Sequence, residues 1–182
     1  MSWVIAPGYE DSRPTHWQSL WQQAWGSDAV RMQVPDWGRP DLAVWTAALR
    51  EVTRPDDVVV AHSMGCPTTV AALLGLDGGA PMRCRAAFLV CPPDLRAPSL
   101  PDGVTGFQAV AAGLEAPLPV PAQVVGSTDD PYCQLDVTRR MARAWQAPLH
   151  VMEDRGHINQ DSGLADWPLG QALLDRLVAR SR

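Results

Sequence analysis

Residues 57–67 constrain this chain more than any other stretch. Val58-Val59-Val60 runs directly into Ala61-His62-Ser63-Met64-Gly65-Cys66, and a helix-compatible segment over 68–74 follows. Three β-branched residues, then small ones, then helix formers read as a strand, a very tight turn and a helix, with Ser63 at the apex. A serine held there projects its hydroxyl away from the sheet edge, and the next helix aims its N-terminal N–H groups at the same spot. The pattern is a G-x-S-x-G elbow with Ala61 in the first small-residue slot. The bland alternative is an ordinary strand-to-helix turn whose serine caps the helix. What decides is whether other loops bring a base and an acid to the same edge of a sheet.

The rest of the chain alternates short apolar runs with amphipathic ones. Trp3–Ala6 reads as a strand ended by Pro7-Gly8, and Pro14 is expected to open a helix carrying Trp17, Leu20, Trp21 and Trp25 at helical spacing. Further strands are expected over 30–34, 58–61, 86–91, 122–125 and 149–152. Helices are expected around Leu42, Trp45 and Leu49, over 136–145 and over 167–179. Strands without polar alternation, separated by helices, indicate a parallel sheet covered on both faces. The expected class is α/β: a three-layer αβα sandwich with about six parallel strands. At 182 residues a single domain over 1–182 is expected, burying about 70% of its unfolded surface. Residues 92–121 stand apart, with seven of the 17 prolines and no clear period. This stretch reads either as a partial cover over the site, with Phe107 and Val110 toward substrate, or as a rigid surface crossover.

Composition narrows the classes. With 46% hydrophobic and 19% charged residues the chain is neither disordered nor fibrous. A net charge of −5 without a Lys/Arg cluster argues against a nucleic-acid surface. No apolar run approaches the ~20 residues that span a bilayer, and the first residues have no basic n-region for a signal peptide. Four cysteines (Cys66, Cys84, Cys91 and Cys133) show no metal-type spacing and read as reduced, mostly buried thiols of a cytoplasmic protein. Nothing in the composition assigns an oligomeric state.

Serine-based acyl transfer needs a base for the hydroxyl proton and an acid that holds the base's tautomer. Of the four histidines, His16 lies beside the tryptophans, His150 falls within the last strand, and His62, directly before the serine, is expected to point away. His157 follows the last strand in Glu153-Asp154-Arg155-Gly156-His157, where the glycine lets the backbone aim the ring inward, so His157 is the expected base. The acid should leave an intermediate strand. Gly126-Ser127-Thr128-Asp129-Asp130-Pro131-Tyr132 offers two adjacent carboxylates, of which the proline-restrained Asp130 is preferred over Asp129, with Asp94 third. The order Ser63, Asp130, His157 is that of α/β-hydrolases. The expected oxyanion donors are the backbone N–H groups of Met64 and Tyr9. The tryptophans of the first helix read first as core packing, with Trp17, Phe107 and Trp167 the candidates for lining the substrate pocket; Glu10 and Asp11 beside it read first as solvated loop carboxylates and second as a preference for an amino-bearing substrate. Cys66 is a weak rival nucleophile, because the apex belongs to the serine.

The chain resembles the small α/β-hydrolases grouped with retinoblastoma-binding protein 9 and the YdeN-type serine hydrolases. The resemblance rests on Ala-Pro-Gly at 6–8 with Thr15-His16-Trp17-Gln18-Ser19, Pro35-Asp36-Trp37, and Ala61-His62-Ser63-Met64-Gly65-Cys66. It continues through Ser127-Thr128-Asp129-Asp130-Pro131-Tyr132, Gly156-His157-Ile158-Asn159 with Ser162-Gly163, and Trp167-Pro168. It implies a compact α/β-hydrolase fold without a large lid domain, the acid at Asp130, and a serine hydrolase acting on a small-molecule ester or amide. Neither metal nor organic cofactor, and neither nucleic-acid nor membrane partner, is expected. The alternative is a non-catalytic protein-binding module on the same scaffold. The Leu-x-Cys-x-Glu motif tied to the binding role in the family's name does not occur here.

Overall fold

The computed structural model describes residues 1–98 and 100–181. Six strands form one sheet: β1 (Trp3–Ala6), β2 (Ala29–Arg31), β3 (Val58–His62), β4 (Ala86–Val90), β5 (Ala122–Ser127) and β6 (Leu149–Met152). They lie in the order β2-β1-β3-β4-β5-β6, and every neighbouring pair is parallel. The helices are α1 (Trp17–Trp25), α2 (Leu42–Val52), α3 (Gly65–Leu74), α4 (Phe107–Val110), α5 (Leu135–Ala144) and α6 (Pro168–Arg180). This is the expected three-layer α/β sandwich.

Alternation along the central strands divides the core in two. Val59 and Ala61 of β3 face one side, with Leu42, Trp45 and Leu49 of α2, Val70 and Leu73 of α3, and Trp145 beyond α5. Val58 and Val60 face the other, with Trp17 and Trp21 of α1 and Leu173, Leu174 and Leu177 of α6. Both faces of β3 and β4 are thus buried, which is why these strands read as unbroken apolar runs.

Boundaries shift where side chains anchor the chain. Pro14 does not open α1; the helix starts at Trp17, and His16 is its N-cap, accepting the Gln18 N–H at 3.1 Å. The strand expected over 30–34 ends at Arg31, whose guanidinium is held by Asp11, Gln22 and Ser19. β1 sits between β2 and β3, so the chain turns opposite ways after its first two strands. Open α/β sheets bind ligands in the crevice at the carboxyl end of such a switch point. The loop after β1 and the turn after β3 meet there. No helix is long and apolar enough to cross a membrane among the described residues.

Candidate active site

Ser63 has φ of 52°, the left-handed conformation that the elbow imposes on a non-glycine residue. Its N–H donates to the Val90 carbonyl at 3.0 Å, and its carbonyl receives the Cys66 N–H at 2.9 Å, tying the turn to β4 and α3. Two glycines let the loop after β1 close on it. A Cβ on Gly65 would lie 2.1 Å from the Ala6 carbonyl oxygen, and one on Gly8 would lie 2.6 Å from the Ser63 Cβ. The Met64 and Tyr9 residues flank the serine on the cavity wall, and among the described residues neither N–H donates to a protein acceptor.

His157 and Asp130 meet from the loops after β6 and β5. The His157 Nδ1–H donates to both oxygens of Asp130, at 2.9 and 3.0 Å, and both side chains are buried. The tautomer is thereby set, with Nε2 left free as an acceptor. Gly156 has φ of 53°, so the backbone freedom expected before the histidine is used. The ring of Tyr132 stands edge-on to His157 at 4.6 Å. Ser63 and His157 line one cavity of about 290 Å³; their side chains form no hydrogen bond with each other among the described residues.

Asp129 does other work. Its carboxylate accepts the Ser127 hydroxyl and the Gly156 N–H, each at 2.7 Å. These hydrogen bonds, the one from Ser127 first, hold its pKa below the usual carboxylate range. It staples the β5 and β6 loops together, so adjacent carboxylates serve different partners. Asp94 instead accepts the N–H of Arg96 within its own turn.

Several expectations are corrected here. His62 does not point away from the site. It lies on the Val58–Val60 face of β3, and its Nε2–H donates to the His157 carbonyl at 2.9 Å. Burial, followed by the charges that His16 and His157 would present, holds its pKa well below 6.5, so the ring is neutral and can donate. Trp17, Phe107 and Trp167 do not line the cavity; all three are core residues. Trp17 stacks edge-on against Trp21 and Trp167, and its Nε1–H donates to the Ile158 carbonyl at 2.8 Å, supporting the His157 loop from behind. Phe107 packs with the α2 side of the core, because Gly106 at φ 81° turns the chain inward. Of residues 92–121, Pro93, Leu100 and Pro101 reach the cavity.

The walls are more polar than the tryptophans suggested. Glu10, Arg13, Asn159 and Asp161 surround the opening, and His16 forms part of the inner wall. Asp11 is committed to Arg31. His16 was expected on the first helix beside the tryptophans, and nothing local marked it as the helix cap or as cavity lining.

Cys91, Asp130 and His157 place one potential ligand atom each within 4.8 Å of one another. A thiol binds metal as thiolate, whereas burial, with the Asp130 carboxylate beside it, raises the Cys91 pKa well above 9. The trio is poorly suited to a metal and well suited to holding a carboxylate–imidazole pair.

A YdeN-like hydrolase from Pectobacterium atrosepticum shares 27% identity with this chain, over 99% of this chain and 90% of its own, with a TM-score of 0.76. The ydeN gene product of B. subtilis matches over 98% of this chain and its whole length, at 20% identity and a TM-score of 0.77. A thermophilic esterase from Thermogutta terrifontis, solved with butyrate bound, shares the fold at 16% identity and a TM-score of 0.66, over 98% of this chain and 83% of its own. No curated protein sequence matches the chain. The serine hydrolase family model matches residues 3–176, nearly the whole chain, and the protein therefore belongs to that family, with YdeN-like hydrolases among its structural relatives.

Proposed function

We propose that this hydrolase cleaves a small ester or amide through an acyl-enzyme, using Ser63, His157 and Asp130 as a catalytic triad. The observation that carries the reading is the buried His157–Asp130 pair, whose His157 lines the cavity that also holds Ser63. In this mechanism the His157 Nε2 takes the Ser63 hydroxyl proton as Oγ attacks the scissile carbonyl. Asp130 holds the tautomer and stabilises the imidazolium that forms. The backbone N–H groups of Met64 and Tyr9 receive the oxyanion. The proton then passes from His157 to the leaving alcohol or amine. A water, deprotonated by the same nitrogen, releases the acid and regenerates Ser63. Every step uses groups of this chain and needs no metal or organic cofactor.

A fluorophosphonate probe tests this directly, since it traps an activated serine as a stable phosphonyl adduct. The wild type is expected to label and Ser63→Ala to show none. An unlabelled wild type, or equal labelling of both, would overturn the reading and favour a binding module instead.

A further inference from the structure

The turn that carries Tyr9 is held in a costly shape. Gly8 to Asp11 closes on itself, with the Asp11 N–H donating to the Gly8 carbonyl at 3.2 Å. Glu10 and Asp11 have φ of 60° and 62°, so two successive residues with side chains sit in the left-handed region. Glycine is the ordinary choice at the third place of such a turn, and left-handed residues of other types persist where their surroundings enforce them. At its other end the turn abuts the nucleophile, since a Cβ on Gly8 would lie 2.6 Å from the Ser63 Cβ. Tyr9 lies between that contact and the strained pair, so the turn fixes where its N–H stands relative to Ser63.

What enforces it comes from β2 and the loop after it. The Glu10 N–H donates to the Trp37 carbonyl at 3.1 Å. The Asp11 carboxylate is paired with Arg31, the last residue of β2, which lies beside Ile5 of β1 in the parallel register. The Arg31 side chain is only 10% exposed, and all three guanidinium nitrogens are used. Nη1 also donates to the Ser12 carbonyl at 3.4 Å, Nε to Gln22 Oε1 at 2.7 Å and Nη2 to Ser19 Oγ at 2.9 Å. A planar fork of donors can tie a loop carboxylate, a loop carbonyl and α1 together, which a lysine ammonium cannot. Burial first, and then the Arg31 charge, pushes the pKa of His16 on the cavity wall down to about 3, so the guanidinium stands within electrostatic reach of the site. We propose that Arg31, acting through Asp11, is a positioning residue of the oxyanion hole: it clamps the left-handed turn so that the Tyr9 N–H stays aimed at the developing oxyanion. This rests on the acyl-enzyme reading above and adds to it a residue outside the cavity lining.

The test compares two substrates that differ by one atom: p-nitrophenyl butyrate and its thiono analogue, in which C=S replaces C=O. Developing charge on sulfur accepts hydrogen bonds poorly. Each kcat/KM is divided by the ester's own rate with hydroxide, so the oxo-to-thiono ratio reports the oxyanion donors. The wild type is expected to favour the oxoester by about 100-fold, the scale of an oxyanion donor's worth. In Arg31→Met the ratio is expected to fall to about tenfold, because the Met64 N–H stays in place and the Tyr9 N–H does not. Asp11→Asn keeps a residue type at ease in the left-handed region and loses the ion pair, so its ratio is expected to lie between the two. General loosening of the fold lowers both rates together and leaves the ratio alone. A wild-type ratio near one, or a ratio unchanged in Arg31→Met, therefore overturns the proposal, however large the loss of absolute rate. If Arg31→Met fails to fold, an unchanged ratio in Asp11→Asn overturns it instead. A protein that takes the phosphonate probe but shows no change of ratio in its variants loses only this inference, while one that neither labels nor hydrolyses either ester loses the catalytic reading too.

Discussion

Asp129 and Asp130 are the same residue type one position apart, and their partners set them apart. Asp130→Asn is expected to lower kcat by about 10⁴-fold with the fold intact, because the neutral amide no longer holds the His157 tautomer. Asp129→Asn is expected to lower the thermal midpoint more than kcat, since it loosens the staple from Ser127 and Gly156. Parallel melting curves and steady-state kinetics check both, and the reverse pattern would assign the acid to Asp129. That Asp130 rather than Asp129 would face His157 was legible in sequence, because the following proline restrains it. His62 was not read correctly, although the signal existed. Period-two alternation puts it on the face of Val58 and Val60, toward Trp17. What no local pattern held was its partner, a carbonyl 95 residues away.

The elbow is the element in which sequence and structure agree most closely. Its second small slot is Gly65, where α3 begins almost against the end of β1. Gly65→Ala would press a methyl group onto the Ala6 and Pro7 carbonyl oxygens, both backbone atoms that cannot swing away. It is expected to cost about 1–3 kcal/mol or more in a urea melt and to slow phosphonylation, because relief requires moving the turn. A variant as stable and as reactive as wild type would show that the close approach is unimportant. The tryptophan stripe of α1 was equally legible as an amphipathic helix, but a stripe does not say which ring meets solvent. The answer lay just before α6, where Trp167, its N-cap, is buried and packs nearly parallel to Trp21. α4 was missed for a different reason: one turn is too short to show a period.

At the scale of the molecule, two neutral histidines are buried where the loops after β1 and β3 meet. Both have folded-state pKa values far below the 6.5 of an unfolded histidine. Above pH 6.5 neither state binds the proton, and stability is unaffected. Below it the unfolded chain takes up protons that the folded one refuses, so stability falls as pH falls. Each histidine contributes a slope that approaches about 1.4 kcal/mol per pH unit. Urea midpoints measured from pH 8 down to pH 5 are expected to be flat at first and then to decline. His16→Asn should remove about half of the decline that these two groups cause, and an unaltered profile would contradict their neutrality. The parallel sheet was legible because its central strands, β3 and β4, are buried on both faces and read as unbroken apolar runs. Where the switch point falls was not, since strand order depends on pairing between distant segments and leaves no local mark.

All four cysteines are free and buried. Burial is the main cause that raises their thiols, to about 12 at Cys84, about 11 at Cys133 and well above 9 at Cys66 and Cys91. Oxidants and alkylating agents attack the thiolate, and only where they can reach it. The folded molecule therefore offers them no sulfhydryl target, and its sulfurs can be modified only while part of the chain stands open. Sulfenic or sulfonic acid at these positions would then serve as a history of past excursions from the native state, written irreversibly once oxidation has passed the sulfenic stage.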